Sequence, residues 1–341
     1  MNNIMSAPLT GPEVWTGTEQ NARRDWIEHL DAQELAELDH MLQPIRSDEL
    51  DPMDLTLQDF QLPRLQARFD RVRAQLEGGR GFVLIRGVPV ERYTLAQSRI
   101  VFWAMSLLLG EPQAQDKLGN RMHSVTNTNL RVDGSDEVRS YQTDDELTFH
   151  NDGGDAFMLL CLRTAVSGGM SKLVSVGTIY NEVLTRRPDL LEVLQEPFHF
   201  DARGQHPSGL KIQSAPILNF FDGRLSVLYK RRYLMAAQRF PEVPRLTQAQ
   251  QEAIELVEQI CNDPAIQLGF YMEPGDVQIA NNYAVLHART KYEDAKDPEA
   301  RRHLLRAWLT LPNGRALPPV FAQTREFAAS YQSRHGTSMP V

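Results

Sequence analysis

What the chain lacks narrows its class first. Among 341 residues there are only two cysteines, Cys161 and Cys261, so neither a disulfide framework nor a cysteine-based zinc site is available. No long apolar run occurs; the stretch around 100–109 is far short of the roughly 20 residues that span a bilayer. The opening MNNIMSAPLTGPEVW has no basic start followed by an apolar core, so no secretory signal is expected and a cytoplasmic, soluble protein is. Positive charge is not in surplus: 36 Lys and Arg face 44 Asp and Glu, a formal net charge of -8. That balance disfavours nucleic acid and anionic membrane as partners. Internal repeats and low-complexity segments are also missing. The remainder, with 42% apolar residues, suits a soluble enzyme-sized chain with a sizeable core.

The first part reads as helical. Residues 21–42 place Trp26, Ile27, Leu30, Leu35, Leu38 and Leu42 at helical spacing, with a break near Asp31. Pro63 opens a second helix with Leu65, Phe69, Val72 and Leu76 on one stripe, stopped at Gly78 and Gly79. GFVLIRGVP then reads as a buried strand, and Thr94 caps a helix that ends at Gly110. From about Gly119 the texture changes to short runs bounded by turn residues, as in a β sandwich or barrel. Strands are expected at 157–162, 172–176, 217–221, 225–229 and 277–280, with a strand pair in EPGDVQIANNYAVLHART and a closing strand in RRHLLRAWLTLP. TIYNEVLTRRPDLLEVL and TQAQQEAIELVEQICND interrupt them as helices, each with a threonine cap. The expected architecture is α+β: one β core wrapped by helices, with a helical N-terminal region at 1–80, a core at 81–320 and a tail at 321–341. Trp15, Trp26, Trp103 and Trp308 read as packing residues.

One stretch is chemically conspicuous: LTFHNDGGDAF, residues 147–157. Residues i and i+2 of a strand project from one face, so His150 and Asp152 would present an imidazole beside a carboxylate. His287, in NNYAVLHART, ends another expected strand. Two histidines and one carboxylate on one face of a metal leave the opposite positions open, the arrangement of non-haem iron(II) oxygenases. Gly153 and Gly154 would keep those positions accessible. A second pair, His199 and Asp201 with His206 nearby, competes on composition, and spacing does not separate the two.

TFHNDGGDAFMLLCLRTAVSGGMSKLVS, PGDVQIANNYAVLHART and RRHLLRAWL, in that order, resemble the TauD/TfdA-like, clavaminate-synthase-like family of Fe(II)/2-oxoglutarate-dependent oxygenases, over about 79–312. The resemblance implies a double-stranded β-helix (jelly-roll, cupin-like) core. It implies His150, Asp152 and His287 as ligands of Fe(II), and leaves His199 and Asp201 without a ligand role. It implies Arg302 as the arginine for the second carboxylate of 2-oxoglutarate, and Ser171 as a hydroxyl at the same carboxylate. Arg306 matches a position that holds an anionic part of the substrate; the roles of Arg302 and Arg306 can also be exchanged. A guanidinium fork suits a carboxylate in a way that lysine does not. Because Asp152 is kept, halogenation is disfavoured.

The reaction implied consumes dioxygen and 2-oxoglutarate, releases succinate and carbon dioxide, and oxidises an unactivated C–H bond by hydroxylation, desaturation or ring closure. The expected substrate is a small, polar, anionic molecule, an amino acid or derivative of secondary metabolism. Asp155, Arg139, Gln142, Arg306 and Arg232 are its candidate contacts, with YKRRYL expected on a β-edge. KYEDAKDPEA reads as a solvated excursion. A zinc hydrolase using the same triad and a non-catalytic cupin-like binder are the alternatives; a nucleic-acid demethylase is disfavoured by the charge balance. A homo-oligomer is compatible with all of this.

Overall fold

The protein is described by a computed structural model, and the described residues are 7–45, 50–128, 143–206 and 208–336. Two sheets face one another. The larger contains β1 (Ile27–His29), β2 (Phe82–Arg86), β3 (Glu111–Gln113), β4 (His123–Thr126), β6 (Ala156–Arg163), β14 (Val277–Asn281) and β17 (His303–Thr310), in the order β1-β2-β14-β6-β17-β3 with β4 also on β17. The smaller contains β5 (Leu147–His150), β8 (Ser171–Ser175), β13 (Leu268–Phe270) and β15 (Val285–Arg289), in the order β13-β8-β15-β5. Among the described residues three further ladders lie outside: β7 (Ser167–Gly168) with β16 (Tyr292–Glu293), β9 (Pro197–Asp201) with β10 (Ile212–Pro216), and β11 (Leu218–Phe221) with β12 (Arg224–Val227).

Strand alternation sorts the core into layers. Along β6, Ala156, Met158, Leu160 and Leu162 face outward, packing with Leu65, Phe69 and Val72 of α3 (Pro63–Gly78) and Ile100 to Met105 of α4 (Leu95–Leu109). Phe157 and Cys161 face inward, with Phe82, Leu84, Leu304 and Trp308, and meet Leu173, Leu268, Phe270 and Val285 of the smaller sheet. The outer face of that sheet, with Phe149, Val174 and Leu286, is covered by α5 (Val176–Arg186), α6 (Pro188–Val193) and α8 (Gln248–Cys261). The chain crosses from the smaller to the larger sheet between β5 and β6, and back again between β14 and β15. These two crossovers carry the site. α4 is apolar nearly all round because it is buried; no helix among the described residues is long and apolar enough to cross a membrane.

Several expectations change. Residues 21–42 are not one broken helix. α1 (Gly17–Arg23) stops at Arg24 in a left-handed conformation, β1 follows and pairs parallel with β2, and only then does Asp31 cap α2 (Ala32–Leu42). Trp26 thus packs on Phe82 and Phe270 between the sheets rather than on a helix face. Among residues 1–80 the helices are thus interrupted by β1, which extends the larger sheet. Ser175, not Thr178, caps α5, and Pro188 splits that helical stretch in two. YKRRYL is not a β-edge: Lys230 makes one bridge to His150, then α7 (Arg231–Ala237) begins, burying Leu234 and Ala237 on one side. The tail also packs on the core, with Phe321 and Phe327 fully buried and α9 (Ala328–His335) behind the site.

The N-terminal elements are locked to the sheet by Arg68 of α3. Its Nε and Nη2 donate to the two oxygens of Glu34 at 2.7 Å each, Nη1 to Glu28 at 2.6 Å and Nη2 to the His29 carbonyl at 2.8 Å. Arg68→Met would leave Glu34, itself only 3% exposed, buried without a cation. The expected cost is about 3 kcal/mol, read as a lower midpoint of urea unfolding.

Candidate active site

β5 and β15 are antiparallel neighbours with His150 opposite His287, which sets their rings 4.2 Å apart, centroid to centroid. Asp152 lies two residues past His150, beyond the end of β5. Its Oδ1 is 3.9 Å from His150 Nε2 and its Oδ2 3.8 Å from His287 Nε2. The three ligand atoms lie within 4.8 Å of one another, and this is the only such group of His, Cys, Asp and Glu among the described residues. His199 and Asp201 do not join it. Asp201 instead accepts from the Arg203 N–H and pairs with Arg239, and His206 bonds the Gln323 carbonyl.

Two buried asparagines hold the ligand loop. Asn151 accepts from the Tyr229 N–H at 2.7 Å and donates to the Asp152 carbonyl at 3.0 Å. Asn282, at the β14–β15 crossover, accepts from the Asp152 N–H at 3.1 Å and donates to the carbonyls of Gly153 and Gly154 at 2.8 and 3.1 Å. The glycines serve packing rather than open metal positions. A Cβ on Gly153 would come within 2.6 Å of the Trp308 ring. Gly154 has φ +74°, and a Cβ there would come within 2.9 Å of the Leu309 backbone.

Electrostatics suit metal donation. Burial lowers the His150 pKa, and burial with the adjacent His150 ring lowers that of His287 much further, so both imidazoles are neutral donors. Burial opposes the charge on Asp152, yet Arg306 foremost, with Lys230 behind it, holds its carboxyl well below the usual range. His150 Nδ1 donates to the Thr148 carbonyl at 2.8 Å, which leaves Nε2 free to ligate. Two imidazole nitrogens and a carboxylate fit Fe(II).

Arg302, just before β17, is 7% exposed and stacks over Tyr292 at 5.1 Å; Arg289 stacks over the same ring at 4.4 Å. Arg302 Nη1, Arg289 Nε and the Tyr292 hydroxyl are all buried without a hydrogen-bond partner. The remaining Arg289 nitrogens donate to the Thr143 and Asp145 carbonyls. Burial, then repulsion from Arg302, pushes the Arg289 guanidinium down to about 10. Ser171 lies opposite Arg289 across β8 and β15. Two buried cations with orphaned donors fit a carboxylate such as the distal one of 2-oxoglutarate. KYEDAKDPEA is thus not only a solvated excursion: it supplies Tyr292, and Asp294, which accepts from the Arg302 N–H at 2.6 Å.

Arg306 has other duties: Nη1 donates to Asp152 Oδ2 at 3.3 Å and Nε to Gln115 at 2.8 Å. It also lines a cavity of about 470 Å³ that reaches His150 and Asp152. Lys230, Arg232, Trp308 and Arg325 share its wall. Trp308, expected as packing alone, is therefore also a pocket residue. Asp155 is not among the residues lining this cavity. It is fully buried and accepts from the Tyr283 hydroxyl at 2.6 Å, the Leu311 N–H at 2.7 Å and Arg334 at 2.5 Å. Arg139 and Gln142 lie outside the described residues. Sequence reasoning missed Arg289, Tyr292, Asn282 and Arg325, and had Lys230 only as part of YKRRYL. Only Arg289 was within reach, being two residues beyond His287 on the same strand face.

Comparison with known proteins places this geometry. The model of the family described as "Taurine catabolism dioxygenase TauD, TfdA family" matches residues 46–308. FR-33289 synthase of Streptomyces rubellomurinus is 32% identical over 334 residues, covering 95% of this chain and 97% of its own. A uridine-5'-phosphate dioxygenase of an Amycolatopsis species is 26% identical over 222 residues, covering 62% of this chain and 78% of its own. An asparagine oxygenase, solved with Fe(II), hydroxyasparagine and succinate, superposes with TM-score 0.63 at 18% identity, covering 84% of this chain and 93% of that one. The oxygenase OrfP, solved with Fe and alpha-ketoglutaric acid, gives TM-score 0.60 at 18% identity, covering 83% of this chain and 94% of that one.

Behind the cavity wall, Glu326 accepts from Lys230 at 2.8 Å and Gln213 at 2.6 Å. Burial opposes its charge, but Lys230, Arg325 and Gln213 outweigh burial and bring its pKa from 4.5 to about 2. A depressed carboxyl pKa contributes stability above the unfolded value and loses it as pH falls through the folded one. Glu326→Gln is accordingly expected to lower stability by about 3 kcal/mol at pH 7. In thermal melts the gap from the parent should hold above about pH 5 and narrow toward pH 2.

Proposed function

The chain belongs to the taurine catabolism dioxygenase TauD, TfdA family and is an iron- and 2-oxoglutarate-dependent dioxygenase, and from that premise we propose that it oxidises an unactivated C–H bond of a small, polar, anionic, amino-acid-like molecule. Hydroxylation, or desaturation or ring closure, is the outcome, and the two facing sheets are a jelly-roll core. The observation that carries the reading is the cavity: it reaches His150 and Asp152 and has, among the described residues, five cationic side chains on its wall, Lys230, Arg231, Arg232, Arg306 and Arg325. Relatives support it. Curated ones act on uridine-5'-phosphate, and a solved neighbour was determined with a hydroxylated arginine; all these molecules carry an acidic group. The zinc-hydrolase and non-catalytic alternatives fall with the family membership, and would leave Arg302, Arg289 and Tyr292 without a task.

When bound, iron and 2-oxoglutarate supply oxidation by dioxygen, with loss of carbon dioxide and formation of succinate. The chain's residues do the positioning. His150, Asp152 and His287 would hold the metal through two neutral nitrogens and one carboxylate. Arg302, with Tyr292, Arg289 and Ser171 beside it, would hold the distal carboxylate. Arg306 steadies Asp152 and faces the substrate cavity, so the two arginines divide the work: Arg302 for the co-substrate, Arg306 for the metal carboxylate and the substrate.

The test is an anaerobic titration of the protein with Fe(II) and then 2-oxoglutarate, read as a weak charge-transfer band near ~500 nm expected of this donor set. The band should form in the parent and in His199→Ala and be lost in His150→Ala. Zinc binding with no band in the parent would overturn the reading. In the same titration Arg302→Gln should need about 10- to 100-fold more 2-oxoglutarate, the loss of charged hydrogen bonds, while Arg306→Gln should shift it far less.

A further inference from the structure

We propose that Arg325 is a specificity-determining residue that receives an oxyanion group of the substrate. The proposal rests on the cavity being the substrate pocket, and on how the cations of its wall are already spent. Arg306 is committed to Asp152 at 3.3 Å and Gln115 at 2.8 Å. Lys230 is neutralised by Glu326 at 2.8 Å. Arg231, on the first turn of α7, is exposed, and Arg232 beside it is half-buried with an interaction of its own.

Arg325 differs from these. Its side chain is only 7% exposed, and its carboxylate contact is Glu326 Oε1 at 3.9 Å, the oxygen that Lys230 holds at 2.8 Å. Its other guanidinium contact is Nη2 to the Gln115 carbonyl at 3.3 Å. One buried carboxylate therefore serves two buried cations, and the arginine has the weaker share. A buried guanidinium short of counter-charge and facing a cavity is an anion receptor, because an incoming oxyanion supplies the missing charge and hydrogen bonds together. Trp308 completes the patch. Arg325 lies 5.6 Å and Arg306 5.0 Å from its ring, and its Nε1–H is buried without a hydrogen-bond partner. A carboxylate and a tetrahedral phosphate, phosphonate or sulfonate share the required chemistry. Arg325 is contributed by the segment between β17 and α9, so the C-terminal part of the chain belongs to the substrate site.

The experiment uses the full chain loaded with zinc, which is redox-silent, and with saturating 2-oxoglutarate to keep that anion's own site filled. Acetate, sulfate and phosphate are titrated at constant ionic strength set with sodium chloride, and tryptophan fluorescence is followed, Trp308→Phe identifying the reporter. At least one oxyanion should give a saturable change, and which one tells carboxylate from tetrahedral recognition. For that anion Arg325→Gln should raise Kd by about 10-fold or more, and Arg325→Lys, a point charge in place of a fork, by about 2- to 5-fold. The lysine variant decides the matter should the glutamine variant not fold. No saturable change in the parent, or an unchanged Kd in both variants, overturns the proposal. The Fe(II)·2-oxoglutarate band should survive in Arg325→Gln; its loss there would place Arg325 at the co-substrate and also overturn the proposal. A parent without the band would instead sink the oxygenase reading, so the two failures are distinct.

Discussion

The site depends on a hydrogen-bonded clamp between two sheet-to-sheet crossovers. Asn282 on one crossover takes the Asp152 N–H and gives its amide to the carbonyls of Gly153 and Gly154 on the other. Asn151 ties the same loop to Tyr229. Both asparagines are completely buried, where every unmade hydrogen bond is costly, so the loop has little choice of path. His150 and His287 face each other because their strands pair, and Asp152 reaches them because the clamp holds it there. The histidines are thus placed by strand register and the aspartate by side chains of a distant segment.

A second constraint is the shortage of buried negative charge. Arg289, Arg302, Arg306, Lys230 and Arg325 are all nearly buried around the cavity and its neighbourhood, while Asp152 and Glu326 are the buried carboxylates they contact. Taking charges out of water without partners is unfavourable. An incoming anion such as the co-substrate carboxylate would relieve that imbalance.

Much of this was legible along the chain, and for reasons that are physical. The helices at Pro63 and Thr94, and the one after Thr247, follow from periodicity and capping. The buried run around Phe82 and the strands carrying Phe157 and Val277 follow from short apolar stretches bounded by turns. His150 and Asp152 were paired by the two-residue period of a strand, although Asp152 in fact lies past the strand end. Trp26, Ile27 and Leu30 were misleading, since three apolar residues fit a helical stripe as well as a strand between sheets. YKRRYL was misleading as well, because a bridge of one residue at Lys230 decides where the helix starts. The glycine pair suggested open space at a metal; what the glycines actually admit is the Trp308 ring and the Leu309 backbone.

By itself the sequence determined most of the element types, the mixed architecture and the donor types available at His150, Asp152 and His287, because periodicity, turn chemistry and donor chemistry are local properties. Only the tertiary structure decided that Asp155 is tied to Tyr283 and Arg334, and that Arg289 and Tyr292 flank Arg302. It also brought Arg325 from beyond the last strand to the cavity wall, with Glu326 behind it. Those assignments depend on which segments meet across the sheets. Such meetings arise from burial and pairing summed over the whole chain, which no short stretch of residues encodes.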